Sequence, residues 1–243
     1  MHKTKGIILR TIKYGETSLV VTAFTELFGV QTYMVNGVRT AKKTGMKAAL
    51  YQPASLLEMI VYHNEKNTLH RIREANRSFV FKQVLTDVVK NSIAVFMMEL
   101  LYKLLKQPET NPDLFYFCED SLLQLDEASP HVAANLPLFF TLQFSNFFGF
   151  RINDNFSEKN IYLDLQEGYF AEEKPAHNNF MSGENAELTA ELLKIRVPSE
   201  LDDLKMNHLK RRELLQRYME YYSLHIADFG QMKTLAVMGE VLG

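Results

Sequence analysis

The chain has 243 residues, 47% of them hydrophobic, and a formal net charge of −2, enough length to bury cores in two domains. No apolar run approaches the roughly 20 residues of a membrane-spanning helix, and the amino terminus, Met1 to Lys5, leads into a strand-like pattern and not an apolar leader. The single cysteine, Cys118, excludes an internal disulfide and sits in an apolar helical run, so the chain reads as cytoplasmic with a buried, inert thiol.

The near-neutral total conceals an asymmetry. Residues 1–80 hold 12 Lys/Arg against 5 Asp/Glu, a surplus of seven, and the remainder holds 15 against 24, a deficit of nine. A basic amino-terminal part joined to an acidic larger part points to a polyanion handled by the first.

From Lys5 to Asn76 the pattern is that of strands: residues 6–12, 18–25, 30–38, 56–62 and 68–73, rich in β-branched and aromatic side chains. Turn signals separate them at Tyr14-Gly15-Glu16, Phe28-Gly29 and Asn64 to Asn67. Five strands in about 75 residues fit a small barrel of the OB-fold kind, with a sandwich fragment as the other solution. Between the third and fourth strands lies the basic loop 36–50. There Arg39, Lys42, Lys43 and Lys47 have no acid nearby in sequence and Gly37 and Gly45 allow sharp bends. Arg71 and Arg73, two apart in the fifth strand, are expected on one face. Tyr14, Phe24 and Tyr33 are the candidates for stacking on bases.

Near Phe79 the period changes from two to between three and four, which places a domain boundary at about residue 80. Helices are expected over 84–106, 113–125 and 132–148, the last rich in phenylalanine at core spacing and stopped by Gly149. Residues 150–183 form a small irregular insert, with Ile161–Leu165 and Gly168–Phe170 reading as a hairpin. Helices return over 186–194, 206–226 and 231–241. The helix 206–226 carries Lys210, Arg211, Arg212 and Arg217, with Lys205 just before it and an apolar face of Leu209, Leu215, Tyr218, Met219 and Tyr222. Those charges either solvate the helix or receive phosphate or an acidic peptide. The fold class is therefore α+β: a five-stranded OB-type barrel over 1–80, then a helical domain over 81–243 with an insert.

Catalytic patterns do not emerge. Lys43-Thr44 follows Lys42 and not the glycine of a phosphate-binding loop, no nucleophile elbow or paired-histidine zinc motif occurs, and the seven histidines lack ligand spacing. No enzyme, metal or cofactor is expected.

The stretches Lys5-Gly6-Ile7-Ile8-Leu9-Arg10-Thr11, Tyr14-Gly15-Glu16, Val21 to Thr25 with Gly29, Gly37-Val38-Arg39 and Gln52-Pro53 resemble the amino-terminal domain of the bacterial RecO recombination-mediator family. The order of barrel, helical domain and insert resembles it too. The resemblance implies a protein that binds single- and double-stranded DNA and anneals complementary strands. It also implies action with RecR, contact with the acidic tail of single-strand-binding protein, and help in loading RecA. Many members of that family hold the insert with two Cys-x-x-Cys pairs around zinc. Residues 150–183 contain no cysteine, so apolar packing around Tyr169-Phe170 is expected instead. The DNA-contacting residues expected are Lys5, Arg10, Lys13, Arg39, Lys42, Lys43, Lys47, Arg71, Arg73 and Arg77, with Lys205, Lys210, Arg211 and Arg212 as an acidic-peptide site. The competing reading is an interaction scaffold or an RNA-binding barrel, since charge alone does not separate RNA from DNA.

Overall fold

The computed structural model describes residues 1–38 and 48–241, which fall into two compact units, Met1–Glu127 and Ala128–Gly243. The first opens with five strands: β1 (His2–Tyr14), β2 (Ser18–Thr25), β3 (Gly29–Val35), β4 (Leu56–Tyr62) and β5 (His70–Arg77). They close in the order β1-β2-β3-β5-β4, the expected barrel. All neighbours are antiparallel except β3 and β5, which run parallel over only two pairs, Tyr33 with His70 and Met34 with Arg71. Alternation fills the interior with Ile8, Val21, Tyr33, Leu57, Met59 and Val61, all essentially without solvent contact. β1 shifts register between Ile8 and Arg10, the kind of bulge that lets one long strand serve both sides of a small barrel. Gly29 opens β3 at a φ of 62°, and a Cβ there would lie 2.2 Å from the carbonyl oxygen of Glu109, so both the turn and the close approach require glycine.

Two helices complete this unit, α1 (Val88–Leu104) and α2 (Pro112–Glu127). The sheet therefore ends near the expected change of period, but the two helices after it pack in the same unit as the barrel. Helix α1 starts at Val88 and not Val84, because the amides of Lys82, Gln83 and Val84 all donate to the Asp126 carboxylate at 2.8–2.9 Å and Asp87 caps the helix through the amide of Lys90. Burial alone would raise the Asp126 carboxyl, yet the three amides outweigh it and hold it below its ordinary value. The Lys90 ammonium, itself buried, donates to the Asp126 carbonyl at 2.7 Å.

The second unit contains α3 (Pro130–Ser145), α4 (Glu184–Lys194), α5 (His208–His225) and α6 (Thr234–Val241). Phe139, Phe140 and Phe144 of α3 are core residues, as their spacing predicts, and the chain leaves through a 3-10 turn to Gly149 at a φ of 80°. The insert is a three-stranded sheet, with β6 (Tyr162–Asp164) between β7 (Tyr169–Ala171) and β8 (Phe180–Met181). The hairpin was legible; the two-residue β8 was not. Phe170 is buried and meets Phe156 edge-on, while Tyr169 is exposed. Asn155 binds the Phe170 backbone at both its amide and its carbonyl, 2.8 Å each, so packing and side-chain hydrogen bonds hold this segment.

At one end of the barrel His63 stacks between Phe28 and His70, with centroids 4.0 and 4.6 Å away. Burial lowers the pKa of both histidines; proximity to His2 adds to this for His63, and proximity to His63 for His70. The unfolded chain takes up protons first, so the stability from the neutral stack is complete above about pH 6.5 and is lost as pH falls through the lowered folded-state values. Thermal melts from pH 7.5 to 5 are expected to show a steeper fall in Tm for the wild type than for His63→Phe/His70→Phe. Equal slopes would show that the stack does not carry the acid sensitivity.

Candidate nucleic-acid interface

Past their two shared pairs β3 and β5 leave room for a cleft of about 320 Å³. Tyr51, Ile72 and Ala75 give it an apolar lining and Asn36, Arg71 and Arg73 a polar one. Val38 and Leu50, on either side of the basic stretch in sequence, also line it. Arg39, Lys42, Lys43 and Lys47 themselves lie outside the described residues.

Arg71 and Arg73 meet at this cleft, but by a different route from simple alternation. The pairing of β4 with β5 slips between Ile60 and Val61, so that Ile72 faces Val61 and Glu74 faces Ile60, leaving Arg73 as the extra residue of a bulge. Arg73 keeps Glu74 at 3.3 Å and donates to the Met1 sulfur at 3.2 Å. Arg71 is exposed, as are Lys13 and Arg77, and among the described residues none of these three has an acidic partner within 4 Å. The Arg10 guanidinium lies 5.5 Å from the centroid of the Tyr102 ring and donates to its hydroxyl at 3.3 Å, which keeps its charge and fixes its direction.

Lys5 stands apart. Its ammonium is bound by Glu119 of α2 at 2.9 Å, and that hydrogen bond raises its pKa. The Glu26 carboxylate accepts from the Tyr116 hydroxyl beside it. This cation is committed to packing α2 on the barrel, a pairing across 114 residues that the sequence does not reveal.

The aromatic candidates also divide. Phe24 and Tyr33 are fully buried: the inward parity of β3 takes Tyr33 into the barrel core, whereas Phe24, on the outward parity of β2, is covered by Phe115 of α2 with ring centroids 5.5 Å apart. Tyr14 is exposed. Tyr62, which the strand pattern did not single out, is 50% exposed at the end of β4 and stands opposite Arg71. Counting alternation outward from the buried Met59 and Val61 would have found it.

In the second unit the basic cluster of α5 is unevenly spent. Lys210 is clamped by Glu213 at 2.9 Å and Glu184 at 3.0 Å, with the hydrogen bond to Glu213 chief among the causes raising its pKa. Arg211 donates to the Met206 carbonyl at 2.7 Å, and its buried Nε has no partner among the described residues. Burial lowers its pKa. Arg212 and Lys205 are exposed. Leu209, expected on the apolar face, is 65% exposed, since the first turn of α5 presents it outward. With Pro137, Leu138, Leu215, Met238 and the two arginines it lines a pocket of about 150 Å³.

Among the described residues no group of three His, Cys, Asp or Glu is placed to hold a metal ion, and no helix is long and apolar enough to cross a membrane. Two family profiles cover most of the chain, Recombination protein O N terminal over residues 1–79 and Recombination protein O C terminal over 85–235. Proteins named DNA repair protein RecO match along nearly the whole length. That of Phocaeicola vulgatus is 31% identical over 241 residues, 99% of each chain. That of Flavobacterium psychrophilum is 32% identical over 242 residues, 98% of each.

If the cleft receives a phosphate backbone, Arg71→Glu/Arg73→Glu should flatten the log–log salt dependence of single-strand binding by about 1.4, at roughly 0.7 per contact. Lys5→Gln should leave that slope unchanged. Fluorescence anisotropy across a salt series measures both, and an unaltered slope in the double variant would remove the cleft from the interface.

Proposed function

The chain belongs to the recombination protein O family of DNA repair proteins, and from that premise we propose that it is a DNA-binding mediator whose barrel holds the sugar-phosphate backbone. The observation that carries this reading is the sorting of charge in the first unit. Apolar side chains fill the barrel, Lys5 is spent on α2, and Arg10, Lys13, Arg71, Arg73 and Arg77 remain on its outside. Arg71 and Arg73 line the cleft bordered by Val38 and Leu50. The intervening stretch adds four cations and no acid between residues 39 and 47.

Such a surface anneals strands without covalent chemistry. Two complementary strands repel through their phosphates, and cations that neutralise part of that charge lower the barrier while leaving base edges free to pair. Release of counterions drives the binding, and its strength falls with salt. The mediator role grows out of this: a protein that lowers strand repulsion on gapped DNA, works beside RecR and assists RecA loading, with no catalysed reaction of its own. The α5 pocket supplies the second contact. Its apolar lining with Arg211 and Arg212 suits the end of an acidic peptide that also carries apolar side chains, as the tail of single-strand-binding protein would present.

Reversing Arg39, Lys42, Lys43 and Lys47 to Glu should weaken single-strand binding and reduce its salt slope by up to about 0.7 per residue that touches phosphate, measured against both DNA and RNA of equal length. Unchanged affinity would take the loop out of the mechanism, and preference for RNA would move the protein to RNA processing. For the pocket, a fluorescent acidic peptide should lose affinity for Arg211→Glu/Arg212→Glu while DNA binding is retained. Peptide binding indifferent to that change would place the partner elsewhere.

A further inference from the structure

Pairing across the barrel sets out one continuous row of outward residues. Ile12 of β1 faces Val20 of β2, Val20 faces Met34 of β3, Met34 faces Arg71 of β5, and Arg71 faces Tyr62 of β4. Residues directly opposite one another share a face of the sheet, and neighbouring strands lie about 4.8 Å apart. Tyr62 and Met34 therefore flank Arg71 at about one strand spacing on either side. None of the five is buried; Ile12 and Tyr62 are 46% and 50% exposed. The parallel β3–β5 seam makes this juxtaposition, since it alone brings β3 beside the strand that carries Arg71.

The other exposed tyrosines of this unit are differently occupied. Tyr102 lies under the Arg10 guanidinium, and Tyr116 donates to Glu26. Tyr14 faces Ser18 at the mouth of a turn. Tyr62 alone has a half-exposed ring opposite a cation that, among the described residues, no acid neutralises. A planar aromatic surface beside an unspent guanidinium matches the repeating unit of a single nucleic-acid strand, a base with its phosphate alongside. A duplex offers its phosphates to such a pair but keeps its bases stacked inside.

We propose that Tyr62 is a stacking platform for one unpaired base, with Arg71 on the adjoining phosphate and Met34 as apolar support beyond it. The ligand class assigned to this face is thereby single-stranded nucleic acid, bound without regard to base identity, because every base has a π-face. The proposal rests on the backbone-binding reading of the barrel and goes beyond it, since backbone contacts alone do not distinguish one strand from two. The site thereby selects for strands that are open and available for pairing.

The chain contains no tryptophan, so Tyr62→Trp in the full-length protein introduces a single indole reporter at the site. With an oligothymidylate of about 20 nucleotides, the indole emission should be quenched. An abasic deoxyribose-phosphate strand of the same length should bind by anisotropy and leave the emission unchanged, as should a blunt duplex. Tyr62→Ala should bind the oligothymidylate roughly 5- to 150-fold more weakly, the span of one lost stack, and Tyr62→Phe should retain the wild-type affinity. Emission unchanged on binding the oligothymidylate, or quenched equally by the abasic strand or the duplex, would overturn the stacking assignment while the backbone reading stands. Failure of the wild-type protein to bind any of the three would defeat the backbone reading itself, and the proposal with it.

Discussion

A five-stranded sheet has two edges, and this one removes them by bringing β3 and β5 together. The contact is narrow, two register pairs in parallel, yet the layout of the whole barrel surface depends on it. Closure turns each strand's alternation into an inside and an outside, so that Tyr33 and His70 go in as Met34 and Arg71 go out. It also places the bulged turn of β5 against the end of β3, which is where the cleft lies. Without the seam the two strands would be open edges, Arg71 would have no neighbour in β3, and the cations would line no common space.

Charge in the first unit is divided by purpose. Lys3 pairs with Glu58 at the surface, Lys5 with Glu119 and Lys82 with Glu127; the two latter tie the barrel and the segment after it to α2. Pairs as exposed as Lys3–Glu58 contribute little to stability, and their effect here is to subtract those lysines from the field. Among the described residues, the exposed cations without an acidic partner include Arg10, Lys13, Arg71 and Arg77 on β1 and β5, and Lys66 in the turn between β4 and β5. The same division recurs in the second unit, where Glu184 and Glu213 neutralise Lys210 while Arg211 and Arg212 remain at the pocket. A count of lysines and arginines therefore overstates both sites, since several of the cations counted are held by acids.

The sequence was informative wherever the governing interaction is local. Strand alternation, the turn signals and the switch of period near Phe79 revealed the barrel and most helices. It was silent where distant groups decide. The start of α1 is set by Asp126, whose carboxylate holds the amides of Lys82, Gln83 and Val84 from the far end of the next helix; the fate of Lys5 is set by Glu119; and β8 is two residues that become a strand only because β6 offers an edge. Burial alternates strictly in β3, but hydropathy does not mark the inner side, since Gln31 is buried and Val30 half-buried: the Gln31 amide donates to the Phe28 carbonyl at 2.7 Å. Similarity to named repair proteins identifies the family but does not choose among the cations.

Nucleic acid lying along the β3–β5 seam is the point on which the function proposed for this protein turns. It can be checked by photochemical crosslinking of a single strand to the whole protein and mass-spectrometric mapping of the attached peptides. Attachment is expected within the seam segments, residues 29–38 and 56–77. Attachment confined to residues 128–243 would contradict it.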